Sequence, residues 1–200
     1  MTELTCFTAY DVRGEIGVNI DEDVVYRIGR AVAQHFKAQF VVLGFDARET
    51  SPAFAVATAQ GVTDAGADVL NIGMAGTEEM YWAVTEFGAC AGIEITASHN
   101  PINYNGMKIV KSKSQPLDDV GDFQAIKALA SSKDWVNVVE AGQEHDRSVE
   151  LRKAYVDRVL SLVDATLMKP LKIVVNSGNG AAGPTFDAIA NRLRALGAPL

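Results

Sequence analysis

The sequence is sparing with the residues that build metal and disulfide sites. It holds two cysteines, Cys6 and Cys90, and three histidines, His35, His99 and His145. The cysteines lie in no paired metal spacing, and two thiols without a secretory signal read as reduced. Neither they nor Trp82 and Trp135 give a ligand pattern, and no metal site is complete within the 200 residues. No apolar run approaches the ~18–20 residues of a membrane span. The opening "MTELTCFTAYDVRG" lacks a basic segment followed by an apolar one, so no signal peptide is visible. Positive charge is also short: 18 Lys and Arg stand against 25 Asp and Glu, a formal net charge of −7. That argues against non-specific nucleic-acid binding, which needs a basic footprint, and leaves room for a local basic pocket. The expectation is a soluble, mildly acidic, cytoplasmic protein with neither nucleic acid nor membrane as partner.

What is present is an ordinary globular pattern. Apolar residues make up 48%, and the length allows one large domain or one domain and part of another. "DEDVVYRIGRAVAQHF" (21–36) sets Val24, Val25, Ile28, Val32 and Phe36 on a helical stripe behind Asp21, a fair N-cap. "QFVVLGFD" (39–46) reads as a buried strand. "SPAFAVATAQGVTDAGA" (51–67) places Ser51 at an N-cap and Pro52 at the first helical position, and ends at a plausible Ala65-Gly66 C-cap. Strands over 68–73 and 91–96 flank a helix over 76–88. Strands alternating with helices imply an α/β fold with a largely parallel sheet. Asn105-Gly106 is a strong hairpin-turn signal, so a strand over 107–110 should run back and make the sheet mixed. A helix is expected over 119–132, irregular chain over 134–148 and an amphipathic helix over 148–163.

An internal repeat follows. "FVVLGFDARETSPAFAVATAQGVTDAGADVL" (40–70) resembles "KIVVNSGNGAAGPTFDAIANRLRALGAPL" (172–200). Each has a short apolar strand, a Gly-containing loop, Pro then Phe (Pro52/Phe54, Pro184/Phe186), a helix and a terminal Gly-Ala (Gly66-Ala67, Gly197-Ala198). The first copy runs on into another strand; the second reaches Pro199-Leu200 and stops. Residues 1–149 therefore read as one domain and 150–200 as the truncated start of a second, in a fragment of a longer protein, with a short subdomain packed on the first as the alternative. A strand without its neighbour would leave an exposed edge through which copies could pair.

Several residues could carry chemistry. In open α/β sheets ligands bind beyond the carboxyl ends of strands, which puts Ser98, His99 and Asn100 at the functional edge. Residue pattern alone leaves Ser98 open between nucleophile and turn former, since Asn100-Pro101 is itself a turn-initiating pair. The context is not the Gly-x-Ser-x-Gly elbow of an α/β-hydrolase, and nothing selects a triad acid from Asp46, Asp64 or Asp68. Lys108 would be swung back toward Ser98 by a turn at Asn105-Gly106. It could neutralise phosphate or move a proton, although a lone strand lysine is by default solvated. "AYDVRGEIG" puts Tyr10 and Arg13 in a Gly-bearing loop, where an arginine fork suits a phosphate; Arg48 is a weaker candidate of the same kind. "NSGNGAAG" (176–183) matches neither a Walker A nor a dinucleotide motif, so a close strand-to-helix turn is favoured over a phosphate cradle. His35 and His145 read as solvent-facing.

"TASHNP" with "NGMK", whose lysine lies ten residues beyond the serine, together with "AYDVRG" and "NSGNGAAG", resembles the α-D-phosphohexomutase superfamily over nearly the whole chain. With "GMAGTEEMYWA" the match is most like its bacterial phosphomannomutase branch. The resemblance implies three-layer α/β/α domains around a mixed four-stranded sheet, the second of them incomplete. It implies that Ser98 carries a phosphoryl group, gives it to a hexose monophosphate to form a 1,6-bisphosphate, and takes the other one back. It implies His99 and Lys108 in proton transfer and charge balance, Tyr10, Arg13 and Asn100 at substrate or phosphate, and Mg²⁺ held partly through the phosphate on Ser98. The remaining metal ligands and the sugar-reading loops would lie outside this chain, so the fragment alone should be inactive. The mannose product would feed GDP-mannose synthesis, and a hexose 1,6-bisphosphate would serve as activator. Glucose phosphate or glucosamine phosphate is the alternative substrate, and a non-catalytic phosphate-binding or interaction module the alternative class.

Overall fold

A computed structural model describes residues 4–170, 172–178 and 180–198. In chain order the elements are β1 (Val12–Glu15), α1 (Glu22–Phe36), β2 (Phe40–Phe45), α2 (Ser51–Asp64), β3 (Asp68–Met74), α3 (Thr77–Glu86), β4 (Ala91–Ile95) and β5 (Tyr104–Lys111). β6 (Gln115–Pro116), α4 (Asp122–Ser132), β7 (Glu144–Asp146), α5 (Ser148–Leu160) and α6 (Ala182–Ala195) complete the set. The strands form one sheet in the order β1-β5-β4-β2-β3-β7, with β6 beside β5. β2 runs parallel to both β3 and β4, whereas β5 is antiparallel to β4.

The alternation of side chains on these strands builds a core on each face. Leu43, Ile93, Ile95 and Met107 point to one side and pack with Val25, Ile28, Phe54, Val62 and Ile126 from α1, α2 and α4. Val42, Ile72 and Val110 point to the other and pack with Met80, Val84 and Leu151 from α3 and α5. This is the expected three-layer α/β/α arrangement around a mixed sheet. The central β3-β2-β4-β5 set corresponds to the four strands expected, but the sheet has seven. Two of the additions arise where the sequence reads as loop. β1 pairs antiparallel with β5, and β7 lies within the stretch expected to be irregular, paired with β3. β7 is short and polar, so periodicity could not reveal it. It satisfies the backbone along the β3 edge, with Asn71 Nδ2 also donating to Glu144 (2.6 Å).

Local signals act mostly as read. Asp21 caps α1 by accepting from the Val24 amide at 2.8 Å. On α2 the cap lies one residue earlier than expected: Thr50 is the N-cap and Ser51 the first helical residue. Ser51 is diverted because its hydroxyl donates to Asp46 Oδ1 at 2.6 Å. His35 is not simply solvent-facing: its Nε2 lies 2.9 Å from Asp122, which also takes Lys111 at 2.7 Å and so ties α4 to α1 and β5. His145 lies 3.4 Å from Asp68.

Two expectations fail. Asn105 and Gly106 do not form a turn. They lie inside β5, paired with Gly14 and Arg13 of β1, and the reversal from β4 is made by residues 96–103. Asn105 is fully buried, and its amide donates to Thr50 Oγ1 (2.8 Å) and Ser51 Oγ (3.0 Å). Gly106 is needed for close approach: a Cβ there would lie 2.1 Å from the Val12 carbonyl oxygen. The strand expected at 172–175 is also absent. Lys172–Ser177 has no strand pairing, and Ile173, Val174 and Val175 are exposed. A strand needs a neighbour for its backbone groups, and none lies beside this segment among the described residues. Among the described residues the second unit therefore shows no strand, and Pro199-Leu200, on which the expected truncation turned, fall outside the described residues. α6 forms as expected and packs on α5.

Candidate active site

Ser98 leaves the carboxyl end of β4 in the loop 96–103, exposed and in a left-handed backbone conformation (φ +52°). Only five described non-glycine residues adopt positive φ, and such a conformation costs about 1–2 kcal/mol. The Ser98 amide donates to Thr96 Oγ1 (2.9 Å), and the Asn100 amide donates to the Ala97 carbonyl (3.0 Å). The Ser98 hydroxyl is left facing solvent. His99 Nδ1 lies 3.4 Å from Ser98 Oγ, beyond the ~2.6–3.2 Å at which a base takes a proton. No carboxylate among the described residues orients the His99 ring, which removes the third member that a hydrolase triad requires.

Arg48, read as a weak phosphate candidate, is fully committed to this loop. Its Nη1 donates to the carbonyls of Pro101 (2.8 Å) and Tyr104 (3.0 Å), and its Nη2 to those of Ser98 (3.0 Å) and Asn100 (2.7 Å). Its Nε faces Asp46 Oδ2 at 3.4 Å. Asp46 Oδ1 accepts from the Arg48 amide (3.0 Å) and from Ser51 Oγ (2.6 Å).

Arg13 sits across the sheet edge. Its Nη1 donates to the Thr96 carbonyl (2.7 Å) and the Val12 carbonyl (2.9 Å), and its Nη2 pairs with Asp11 (2.9 Å). Burial lowers its pKa, partly countered by Asp11. Lys108 does not reach back to Ser98; its Nζ lies 3.5 Å from the other Asp11 oxygen. The missing turn explains this. Lys108 sits within β5 opposite Glu94 of β4, so its direction is set by the sheet. Tyr10 is 77% exposed beside it.

The expected residues thus fall into two adjoining depressions. Tyr10 and Lys108 line a cleft of about 650 Å³ with Asp11, Tyr81 and Asp118. Ser98, His99 and Thr96 line one of about 500 Å³ with Asp46 and Arg48. Arg13 and Asp11 link them through Lys108 on one side and the Thr96 carbonyl on the other. Gly180 and Ala181 of the Gly-rich loop also line the Ser98 depression.

Sequence reasoning passed over Asp11 and Glu94, and weighed Asp46 only as an unselected triad acid. Asp46 was open to recognition, as the acid directly after a strand. Glu94 was not, because one charged residue in an apolar strand gives no pattern. It is 1% exposed, and neither carboxyl oxygen has a hydrogen-bond partner among the described residues. Burial, and then the negative charges of Asp46, Glu79 and Glu78, push its pKa well above the usual carboxylate range. Among the described residues no group of three His, Cys, Asp or Glu could hold a metal ion, and no helix is long and apolar enough to cross a membrane.

A sheet of this order with a solvent-facing serine at the end of β4 defines a class. Residues 5–136 match the family described as phosphoglucomutase/phosphomannomutase, alpha/beta/alpha domain I, and the chain belongs to that family. A phosphomannomutase of Salmonella typhimurium is 50% identical over 200 residues, covering 100% of this chain and 44% of that protein. A phosphomannomutase of Klebsiella pneumoniae is 47% identical over 157 residues, 78% of this chain and 100% of that sequence. The crystal structure of a phosphoglucomutase/phosphomannomutase family protein from Burkholderia thailandensis superposes with a TM-score of 0.81 at 32% identity, over 95% of this chain and 43% of that one. The chain spans less than half the length of the Salmonella relative.

Proposed function

We propose that this chain is the phosphoryl-carrying part of a phosphomannomutase, an enzyme that interconverts mannose 6-phosphate and mannose 1-phosphate through a hexose 1,6-bisphosphate. The observation that carries the reading is Ser98: a free, outward hydroxyl on a backbone held in a conformation that few side chains adopt. Such strain is retained where it serves a site. Identity to proteins named phosphomannomutase along the whole chain supports the mannose substrate.

In the forward step the Oγ–P bond of phospho-Ser98 breaks as a sugar hydroxyl oxygen bonds to phosphorus. The sugar proton leaves to a base, and an acid gives a proton to the departing serine oxygen, which becomes a hydroxyl. After the bisphosphate reorients, the reverse transfer returns the other phosphoryl group to Ser98, so phosphate is conserved. His99 is the nearest base, and a small ring rotation would shorten its 3.4 Å contact. Lys108 and Arg13, both tied to Asp11, supply positive charge for the phosphoryl oxygens, with Tyr10 and Asn100 at the rim. Gly180 and Ala181, just before α6, line the same depression, and a helix N-terminus favours an anion. Mg²⁺ would spread the charge of the transferring group, with Ser98 contributing one oxygen through its phosphate. The described residues of this chain include no group of three His, Cys, Asp or Glu that would hold that ion on their own.

We place residues 1–149 as the first domain and 150–200 as the start of a second, in a cytoplasmic protein whose product serves GDP-mannose synthesis. The 200-residue chain alone should show no mutase turnover, because it spans 44% of the Salmonella relative. In the full-length parent, Ser98→Ala should lower turnover of mannose 1-phosphate by more than about 10³-fold and abolish phosphorylation at this residue. A Ser98→Ala enzyme that turns over normally would sink the assignment.

A further inference from the structure

The loop around Ser98 contains a second specialised residue. A guanidinium has five N–H donors and no acceptor. Arg48 spends four of them on the carbonyls of Ser98, Asn100, Pro101 and Tyr104 and turns the fifth toward Asp46. None is left for a phosphate or a sugar. The loop is wound around a single planar cation, so its carbonyls converge inward while the Ser98 side chain faces out.

The arrangement has its own foundation. Asp46 follows β2 and fixes Arg48 through both the Arg48 amide and the guanidinium. Ser51, at the start of α2, fixes Asp46, and buried Asn105 of β5 fixes Ser51. Three rigid elements therefore converge on one side chain, and that side chain dictates the path of a loop with no regular backbone pairing of its own. The left-handed Ser98 needs such over-determination, since an unsupported loop would relax to negative φ.

We propose that Arg48 is the positioning residue of the nucleophile. It holds Ser98 in its left-handed conformation with Oγ presented to solvent, and it never contacts the transferred phosphoryl group. The inference rests on the reading of Ser98 as phosphoryl carrier only for its catalytic consequence; the clamp itself is a statement about this chain. Lysine cannot replace the clamp, because three donors on a tetrahedral nitrogen cannot meet four carbonyls arranged around a plane.

NMR and hydrogen exchange on the 200-residue chain test the clamp. In the unsubstituted chain the Arg48 guanidinium protons should appear as separate, slowly exchanging resonances. In Arg48→Ala the amides of Asn100 and Tyr104 should exchange at least about tenfold faster, with β4 amides unchanged and Arg48→Lys in between. Should Arg48→Ala not fold, Asp46→Asn serves the same purpose: it leaves Arg48 in place, loosens its seat, and should accelerate the same two amides. Averaged guanidinium signals, or loop amides indifferent to all three substitutions, overturn the clamp. In the full-length parent, Arg48→Ala should lower kcat at least about tenfold with KM little changed, because preorganisation of the nucleophile is lost while substrate contacts remain. A raised KM at unchanged kcat would instead make Arg48 a substrate-binding residue and refute the proposal. If Ser98→Ala stays active while the exchange results hold, the mutase reading fails and the clamp stands.

Discussion

Two stretches of this chain share a sequence pattern and differ in structure. In 39–67, β2 is bonded on both sides, α2 covers it, and Phe54 is 1% exposed. In 172–198 the corresponding apolar run is unpaired, Val174 is 88% exposed and Phe186 37%. Yet the helices close alike. Gly66 and Gly197 both adopt positive φ (+85° and +76°), and the amides of Ala67 and Ala198 both reach back to the carbonyl five residues earlier, at 3.3 and 3.0 Å. The helix and its C-terminal turn are local and form from sequence in either place. A strand is a shared object and forms only where a neighbour supplies the other half of its hydrogen bonds.

The largest difference should appear in hydrogen exchange. Amides of Val41 to Phe45 should open only with global unfolding, whereas those of 172–177 should exchange at least about 10³-fold faster. Equal protection would mean that the second segment is paired in solution. Next comes core burial. Phe54→Ala should cost about 3–5 kcal/mol in urea unfolding, and Phe186→Ala less than about 1 kcal/mol. Comparable costs would show that α6 shares the main core.

Sheet burial also carries a liability that the second stretch lacks. The folded pKa of Glu94 lies above its unfolded value, so folding takes up a proton. Stability from this group is complete below the ordinary carboxyl pKa and is lost as pH rises toward the raised folded value. Glu94→Gln should therefore raise Tm at pH 8 and leave it nearly unchanged near pH 4; a uniform shift at both would show that Glu94 is not held neutral. The smallest contrast is between the helix ends. Gly66→Ala should cost about 1–2 kcal/mol globally, from its positive φ and the crowding of Val138, whose Cγ1 would lie 2.9 Å from the new Cβ. Gly197→Ala, with nothing near it, should only fray the end of α6, a loss visible in helix content but not in the unfolding midpoint.

This contrast also explains what the sequence could reveal. α1 was legible from its apolar stripe and the Asp21 cap, and β2 and β4 from their β-branched and apolar runs. Ser98 was legible by its place after a strand. What stayed hidden depended on distant partners. Asn105-Gly106 looks like a turn by composition, but β1 arrives beside it and a buried polar network claims the asparagine. Arg48 looks like a phosphate ligand by charge, and only the folded loop shows its donors already taken. Lys108 was aimed at Ser98 by a turn that does not exist.

The pairing of β1 with β5 has a consequence in time. Val12 finds its partner in Met107, so the first strand made cannot take its place in the sheet until β5 exists. A ribosome adding about 5–20 residues per second needs seconds to supply β5, and β5 must first clear the exit channel. Through that interval Tyr10, Asp11 and Arg13 hang on a segment without its β5 partner, and once Gly106 arrives its lack of a Cβ is what lets the two backbones close. The cleft lined by Tyr10 and Lys108 therefore cannot close until an early strand has found a partner made some ninety residues after it.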